Sequence, residues 1–212
     1  MKFTFISDTH CKHKQLPKLD GGDILIHCGD ISSRGYEHEI YNFLKWFNNI
    51  ENYKTKIFIA GNHDWFFQDN PNKSKLILSE YPNISYLQDS FIIVDNIKIY
   101  GSPWQPEFCN WAFNVQRGDK IKEYWDKIPT DTDVLITHGP PFGILDKVIG
   151  KNISLGCEEL LKKVKEIKPK VHAFGHIHSG YGIFYDGNTQ FINASNLSES
   201  YFVTYNPVNY EL

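Results

Sequence analysis

Five short apolar runs in this chain each stop at residues able to hold a metal ion, and that repetition limits its possible folds more than any other feature. Phe3 to Ser7 ends in Asp8-Thr9-His10, Ile24-Leu25-Ile26 in His27-Cys28-Gly29-Asp30, and Lys56 to Ala60 in Gly61-Asn62-His63-Asp64. Asp133 to Thr137 ends in His138-Gly139, and Val171 to Phe174 in Gly175-His176-Ile177-His178. Runs of this length and β-branched content predict strands buried on both faces. A single Gly-Asp after a strand is explained by a turn closed with an Asx hydrogen bond. Asp, His and Asn at five strand ends together form the oxygen and nitrogen donor set of a hard-to-borderline metal.

The 212 residues suit one domain spanning 1–212, and 41% hydrophobic with 22% charged residues is an ordinary balance for a soluble globular chain. A formal net charge of -3 supplies no basic field for long nucleic acid, which is not expected as a partner, so any attraction for phosphate must be local. The apolar stretch Phe3–Ile6 is too short for a signal peptide, and no later stretch approaches a membrane span. A cytoplasmic protein with no membrane partner is therefore expected. Cys11, Cys28, Cys109 and Cys157 show no Cys-x-x-Cys spacing and read as free thiols of a reducing compartment.

Along the chain, Asp8 and His10 lie two apart, so extended backbone would turn both side chains toward one ion. His13, in the polar connection from Cys11 to Gly22, is expected to be solvated, and so is His38. Ile40, Phe43, Leu44 and Phe47 mark the buried face of a helix. Gly61 permits a sharp turn, Asn62 offers an amide oxygen, and His63 is left free for proton transfer. Residues 72 to 80 predict a short helix. Ile84 to Tyr86, Phe91 to Val94 and Ile97 to Tyr100 predict strands, the last two joined through Asp95-Asn96 as an antiparallel hairpin. The aromatic stretch from Ser102 to Asn114 either walls a pocket and stacks a nucleobase or packs a long loop onto the body. A helix is expected over Arg117–Lys127 and an amphipathic one over Leu155–Ile167, closed by Lys168-Pro169. His176 and His178 would lie roughly 6 to 7 Å apart on one side of extended backbone. Gly180 to Tyr185, Thr189 to Asn193 and Tyr201 to Tyr205 predict closing strands.

A count of ligands selects the chemistry. Two ions with four protein ligands each need eight positions, and one carboxylate between them fills two. Asp8, His10, Asp30, Asn62, His138, His176 and His178 complete that set if Asp30 bridges. A single catalytic zinc would use three of them and leave four unexplained.

The order Asp-x-His, Gly-Asp, Gly-Asn-His-Asp, a lone His and Gly-His-x-His, over residues 8 to 178, resembles the calcineurin-like metallophosphoesterase superfamily. Ser102-Pro103-Trp104-Gln105-Pro106, Trp111-Ala112-Phe113-Asn114, Arg117-Gly118 and Thr137-His138-Gly139-Pro140-Pro141 are similar to its branch of metallophosphoesterase-domain-containing brain proteins, described as class III phosphodiesterase-like. The resemblance implies an α/β fold, a four-layer α-β-β-α sandwich of two mixed sheets flanked by helices. It implies Asp8, His10 and His178 on one ion, Asn62, His138 and His176 on the other, and Asp30 shared. His63 then faces the leaving group. The protein phosphatases of the superfamily carry Gly-Asp-x-x-Asp-Arg-Gly at the second motif, whereas Ser33 stands here at the second Asp. The usual acidic partner of the catalytic His is therefore missing. Asp64 becomes a candidate to orient His63, although neighbours on extended backbone point apart, and Arg34 a candidate phosphate clamp.

The expected function is a phosphodiesterase for small nucleotide-like diesters, cyclic nucleotides included. Two divalent ions would lower the pKa of a bound water from ~15.7 to ~7, the resulting hydroxide would attack phosphorus in line, and His63 would assist the departing group. Mn²⁺ is favoured, and Fe, Zn²⁺, Co²⁺ and Ni²⁺ also suit the donors. The alternatives are a phosphomonoesterase or nucleotidase using the same site, and a nucleotide-binding module with little turnover. Neither the native metal, the physiological substrate nor the oligomeric state is specified by these residues.

Overall fold

In the computed structural model, which describes residues 1–150 and 153–212, the alternation of side chains along each strand sets the layers. Strands β1 (Lys2–Ile6), β2 (Gly22–His27), β3 (Tyr53–Phe58) and β4 (Ile84–Tyr86) run parallel, and β13 (Val208–Glu211) closes this five-stranded sheet antiparallel to β1. The second, six-stranded sheet contains β5 (Ser90–Val94), β6 (Ile97–Ser102), β9 (Val134–Thr137), β10 (Val171–Phe174), β11 (Gly182–Tyr185) and β12 (Gln190–Asn193) in the order β11-β12-β10-β9-β6-β5. Its inner four strands are parallel, and its two edges are antiparallel. A small parallel pair, β7 (Gln105–Pro106) and β8 (Asn114–Val115), folds the aromatic stretch back on itself.

Phe3, Phe5, Ile24, Ile26, Val134 and Ile136 point between the sheets into a dry core. The intervening residues face outward. Ile6, Leu25 and Phe58 meet Ile40, Phe43, Leu44 and Phe47 of α1 (Glu37–Asn48), with α2 (Trp65–Asp69) and α3 (Pro71–Ser79) on the same side. Leu135, Phe174 and Phe191 meet α4 (Asp119–Trp125) and α5 (Glu158–Ile167). The result is the expected sandwich of two mixed sheets between helices. Burial of period-2 residues on both faces of each central strand is what forces helices onto both outer surfaces.

Several local expectations need correction. Residues 201–205 form no strand: Tyr201 is left-handed (φ 61), and Thr204 and Tyr205 both donate backbone hydrogen bonds to Asn196. The closing strand is β13 instead. Helix α5 starts at Glu158 because the preceding residues are committed elsewhere, with Leu155 N bonded to Asp146 O and Cys157 N to Pro140 O. His13 is buried, its ring 5.7 Å from Phe43 and 4.8 Å from Trp46, where a solvated side chain was expected. The Asp95-Asn96 turn does form, with φ of 47 and 65. No helix among the described residues is long and apolar enough to cross a membrane.

Candidate metal centre

All the parallel strands deliver their carboxyl ends to one edge of the sandwich, and the polar strand ends meet there. Asp8 and His10 follow β1, Asp30 follows β2, Asn62 follows β3, His138 follows β9, and His176 and His178 follow β10. Asp30 stands at the centre, its Oδ2 lying 3.6 Å from His10 Nε2 and 3.4 Å from His138 Nε2. His178 Nε2 is 3.6 Å from Asp8 Oδ1, and Asn62 Oδ1 is 3.0 Å from His138 Nε2. Three overlapping groups have ligand atoms within 4.8 Å of one another: Asp8-His10-His178, Asp8-Asp30-His138 and His10-Asp30-His63. His176 stands beside His138, ring centres 5.0 Å apart.

Glycines let these groups approach. A Cβ on Gly61 would collide with the Asp30 carboxylate and the His138 ring, and one on Gly175 with the Asp8 carboxylate and Ser7. Extended backbone does not make the ligands converge, contrary to the spacing argument. Asp8 (φ 54), His10 (φ 39), Asp30 (φ 56) and His176 (φ 68) are all left-handed, and His178 begins a 3-10 turn. Each such residue costs on the order of 1 kcal/mol, and a concentration of them is characteristic of a functional site.

Hydrogen bonds from behind fix the imidazoles. His138 Nδ1 lies 3.0 Å from Cys28 O and His178 Nδ1 3.0 Å from Ser198 O. Carbonyls only accept, so each Nδ1 carries hydrogen and each Nε2 is aimed at the acidic residues, the arrangement that orients histidine ligands in metal sites. Asp8 receives the backbone N–H of His176 and the Ser195 hydroxyl at 2.7 Å. Both ring nitrogens of His10 are buried and have no hydrogen-bond partner. A buried imidazole left unpaired beside two carboxylates is costly as it stands, so the donor set fits divalent ions.

The charges point the same way. Burial would raise the Asp8 and Asp30 carboxyls, but His178 and His138 respectively overcome it and hold both below the usual carboxylate range. Burial disfavours charge on His138 and His178 as well, yet Asp30 and Asp8 lift each to about 9. At His10 burial prevails and lowers it to about 4.

The other predicted site residues occupy different positions. The His63 ring lines the cleft, with Nδ1 2.8 Å from Ser33 O and its backbone N–H donated to Asp30 Oδ1 at 2.8 Å. Asp64 does not orient that ring. Its buried carboxylate accepts from Gly61 N, Ile31 N, Ser32 N and Ser32 Oγ at 2.5 to 3.2 Å, clamping the loops that carry Asp30 and Asn62 together. Burial, reinforced by the Asp30 charge, raises it to about 6. Arg34 is exposed and outside the cleft lining, its guanidinium 6.0 Å from the Trp111 ring. The cleft itself has a volume of about 480 Å³ and is walled by Pro106, Phe108, Trp111, Pro140 and Leu155.

The aromatic stretch both walls the cleft and packs onto the body. Trp104 packs inward against Phe113 and Tyr124, while Phe108 and Trp111 face the cleft. Tyr201 went unnoticed in the sequence, although its ring lies 4.8 Å from His10 and 5.3 Å from His178. Ser195 was missed too; it follows β12 in the manner of the other polar strand ends, and that pattern was the available signal.

A family model described as calcineurin-like phosphoesterase matches residues 1–180. A human protein named metallophosphoesterase domain-containing protein 1 is 42% identical over 229 aligned positions, covering 98% of this chain and 68% of the human one, and its mouse counterpart gives the same values. Among solved structures, TT1561 of Thermus thermophilus superposes with a TM-score of 0.63 at 12% identity, covering 91% of this chain and 88% of that one. Phosphopantetheinyl hydrolase (PptH) from Mycobacterium tuberculosis superposes with a TM-score of 0.59 at 14% identity, covering 92% and 88%. At such identities these two structures establish the shared fold alone.

Proposed function

The chain belongs to the calcineurin-like phosphoesterase family, and from that premise we propose that it is a dinuclear metal-dependent phosphodiesterase acting on small nucleotide-like diesters, cyclic nucleotides among them. The observation that carries this reading is the position of Asp30 between His10 and His138, with His10 buried and unpaired on both ring nitrogens. Asp8, His10 and His178 would hold one ion, Asn62, His138 and His176 the other, and Asp30 would belong to both. Mn²⁺ is the favoured metal, and Fe, Zn²⁺, Co²⁺ and Ni²⁺ suit the same donors. Divalent ions supply, when bound, positive charge that polarises a phosphoryl oxygen and makes water acidic near neutral pH.

The chain supplies the remaining functions. His63 Nδ1 is committed as a donor to Ser33 O, so the proton it can pass on is one carried at Nε2, on the side of the ring away from that carbonyl. Delivered to the departing alkoxide oxygen, that proton is worth a factor of about 10² to 10⁴ in rate. The cleft volume suits an ester of nucleotide size, and its apolar walls can bind the uncharged part of such a substrate. The names of the human and mouse relatives support a phosphoester substrate and say nothing of which ester.

The test is a metal-by-substrate matrix on chelator-stripped protein. Each metal is restored in turn, and bis(p-nitrophenyl) phosphate, p-nitrophenyl phosphate and cyclic nucleotides are offered, with His63→Ala as control. Faster cleavage of diesters than of the monoester is expected. Monoester cleavage that is far faster would make the protein a phosphomonoesterase. Equal, negligible rates for parent and variant would make it a nucleotide binder.

A further inference from the structure

We infer that Trp111 is a positioning residue for His63, holding its ring at the angle from which it serves the leaving group. The inference rests on the phosphoesterase reading above and concerns a residue to which that reading gives no part in proton delivery.

The two rings are stacked, centres 4.1 Å apart and planes inclined by 27°. His63 is constrained on other sides as well: Nδ1 by the Ser33 carbonyl, the backbone N–H by Asp30, and an edge-on contact to the His10 ring at 4.5 Å and 84°. A single hydrogen bond to a carbonyl leaves an imidazole free to rock about that bond. The indole face removes this freedom without occupying the ring nitrogens.

Trp111 is itself rigidly placed. The next residue, Ala112, is fully buried and donates its backbone N–H to Asn62 O at 3.1 Å, which ties the tryptophan to the loop carrying His63. Phe113 N donates to Gln68 Oε1 at 2.6 Å, and Gln105 Nε2 to Ala112 O at 2.7 Å. These bonds fix a half-buried aromatic residue on an irregular segment that would otherwise wander. The Arg34 guanidinium, 6.0 Å from the indole, adds a cation–π contact. Binding a nucleobase does not require this ring to be locked onto a histidine; aiming that histidine does.

Proton delivery to the leaving oxygen matters more as the leaving group becomes more basic, and that dependence provides the test. Metal-loaded parent, Trp111→Leu, Trp111→Phe and His63→Ala are compared on a series of methyl phosphodiesters whose leaving group runs from p-nitrophenol through phenol to a simple alcohol. Trp111→Leu is expected to slow the alcohol-releasing ester by about 10- to 100-fold while changing the nitrophenyl ester by less than about threefold, and Trp111→Phe should restore most of the loss. A second readout needs no metal and no turnover. The stacked pair of rings gives the indole an asymmetric environment, so His63→Ala should change the near-ultraviolet circular dichroism of metal-free protein, and this change should vanish in the Trp111→Phe background. Equal losses on all leaving groups, or none, overturn the proposal, as does a dichroism change that survives Trp111→Phe. A parent that cleaves no ester with any metal overturns the phosphoesterase reading itself, which the parent control reveals separately.

Discussion

The carbonyl oxygen of Ser33 lies 2.8 Å from Nδ1 of His63, where the protein phosphatases implied by the sequence resemblance place an acidic side chain at this position. A carbonyl accepts the Nδ1 hydrogen and orients the ring, but carries no negative charge. Because the partner is backbone, the side chain is dispensable to this contact. Ser33→Ala should therefore keep diester turnover within about threefold of the parent, while His63→Ala loses about 10²-fold or more. Steady-state kinetics on the two variants decides the matter; a Ser33→Ala enzyme as poor as His63→Ala would show that the hydroxyl, 3.2 Å from His10 O, has a greater role.

Gly175 offers a purely steric test of the metal site. A methyl group there meets the Asp8 carboxylate and Ser7. Gly175→Ala should leave the fold intact and weaken the ion expected on Asp8, His10 and His178 by about 10- to 100-fold. Elemental analysis after dialysis against limiting metal should find close to one ion per chain in the variant and two in the parent. Undiminished loading would mean that Asp8 is not a ligand.

Asp64 acts as a clamp, so its loss should appear first in stability. Replacing it with Ala strands three backbone N–H donors in a buried position, a cost of about 3 kcal/mol or more. Urea denaturation of the metal-free protein should show this loss directly. A metal-free variant as stable as the parent would require those donors to find new acceptors.

Metal binding should be coupled to proton release. With His138 and His178 lifted to about 9 by Asp30 and Asp8, both rings are protonated at pH 7 before metal arrives. Each must lose a proton to act as a ligand. Apparent affinity should therefore rise with pH up to about 9, and filling the site at pH 7 should release about two protons per chain. Calorimetry in buffers of different ionisation enthalpy gives the number; zero release would remove both rings from the ligand set.

The layers, and the meeting of the polar strand ends at one edge of the sandwich, were readable from the sequence because they follow local rules. Unbroken burial along β1, β2, β9 and β10 calls for cover on both faces of each sheet, and polar residues just past a buried strand can face only the sheet's end. Conformation at those ends was less legible. Asp8, His10, Asp30 and His176 are left-handed, which no propensity of Asp or His demands and only the surrounding packing imposes. Partners supplied by backbone escape notice for another reason: Ser33 O, Cys28 O and Ser198 O could have belonged to any residue type. His13 was misplaced because a polar neighbourhood in sequence conceals a contact with Phe43 and Trp46, one turn apart on α1.

His172 links the fold to acid stability. It is fully buried on β10, and burial alone lowers it to about 3. The Thr137 hydroxyl donates to Gly139 O and so must accept from His172 Nε2 at 2.8 Å, while Nδ1 remains buried with no partner. The folded ring is therefore neutral across a range in which the unfolded ring takes up a proton near 6.5. Its contribution is fully present above that value and is lost as pH falls toward 3, at up to about 1.4 kcal/mol per pH unit. His172→Gln keeps an N–H for Thr137 but cannot titrate. Whatever the substitution costs at pH 8, the slope of unfolding free energy against pH between 6.5 and 4.5 should become shallower by up to one proton. Urea titrations of metal-free parent and variant at each pH measure that slope, and two parallel lines would mean that His172 takes up its proton in the native state too.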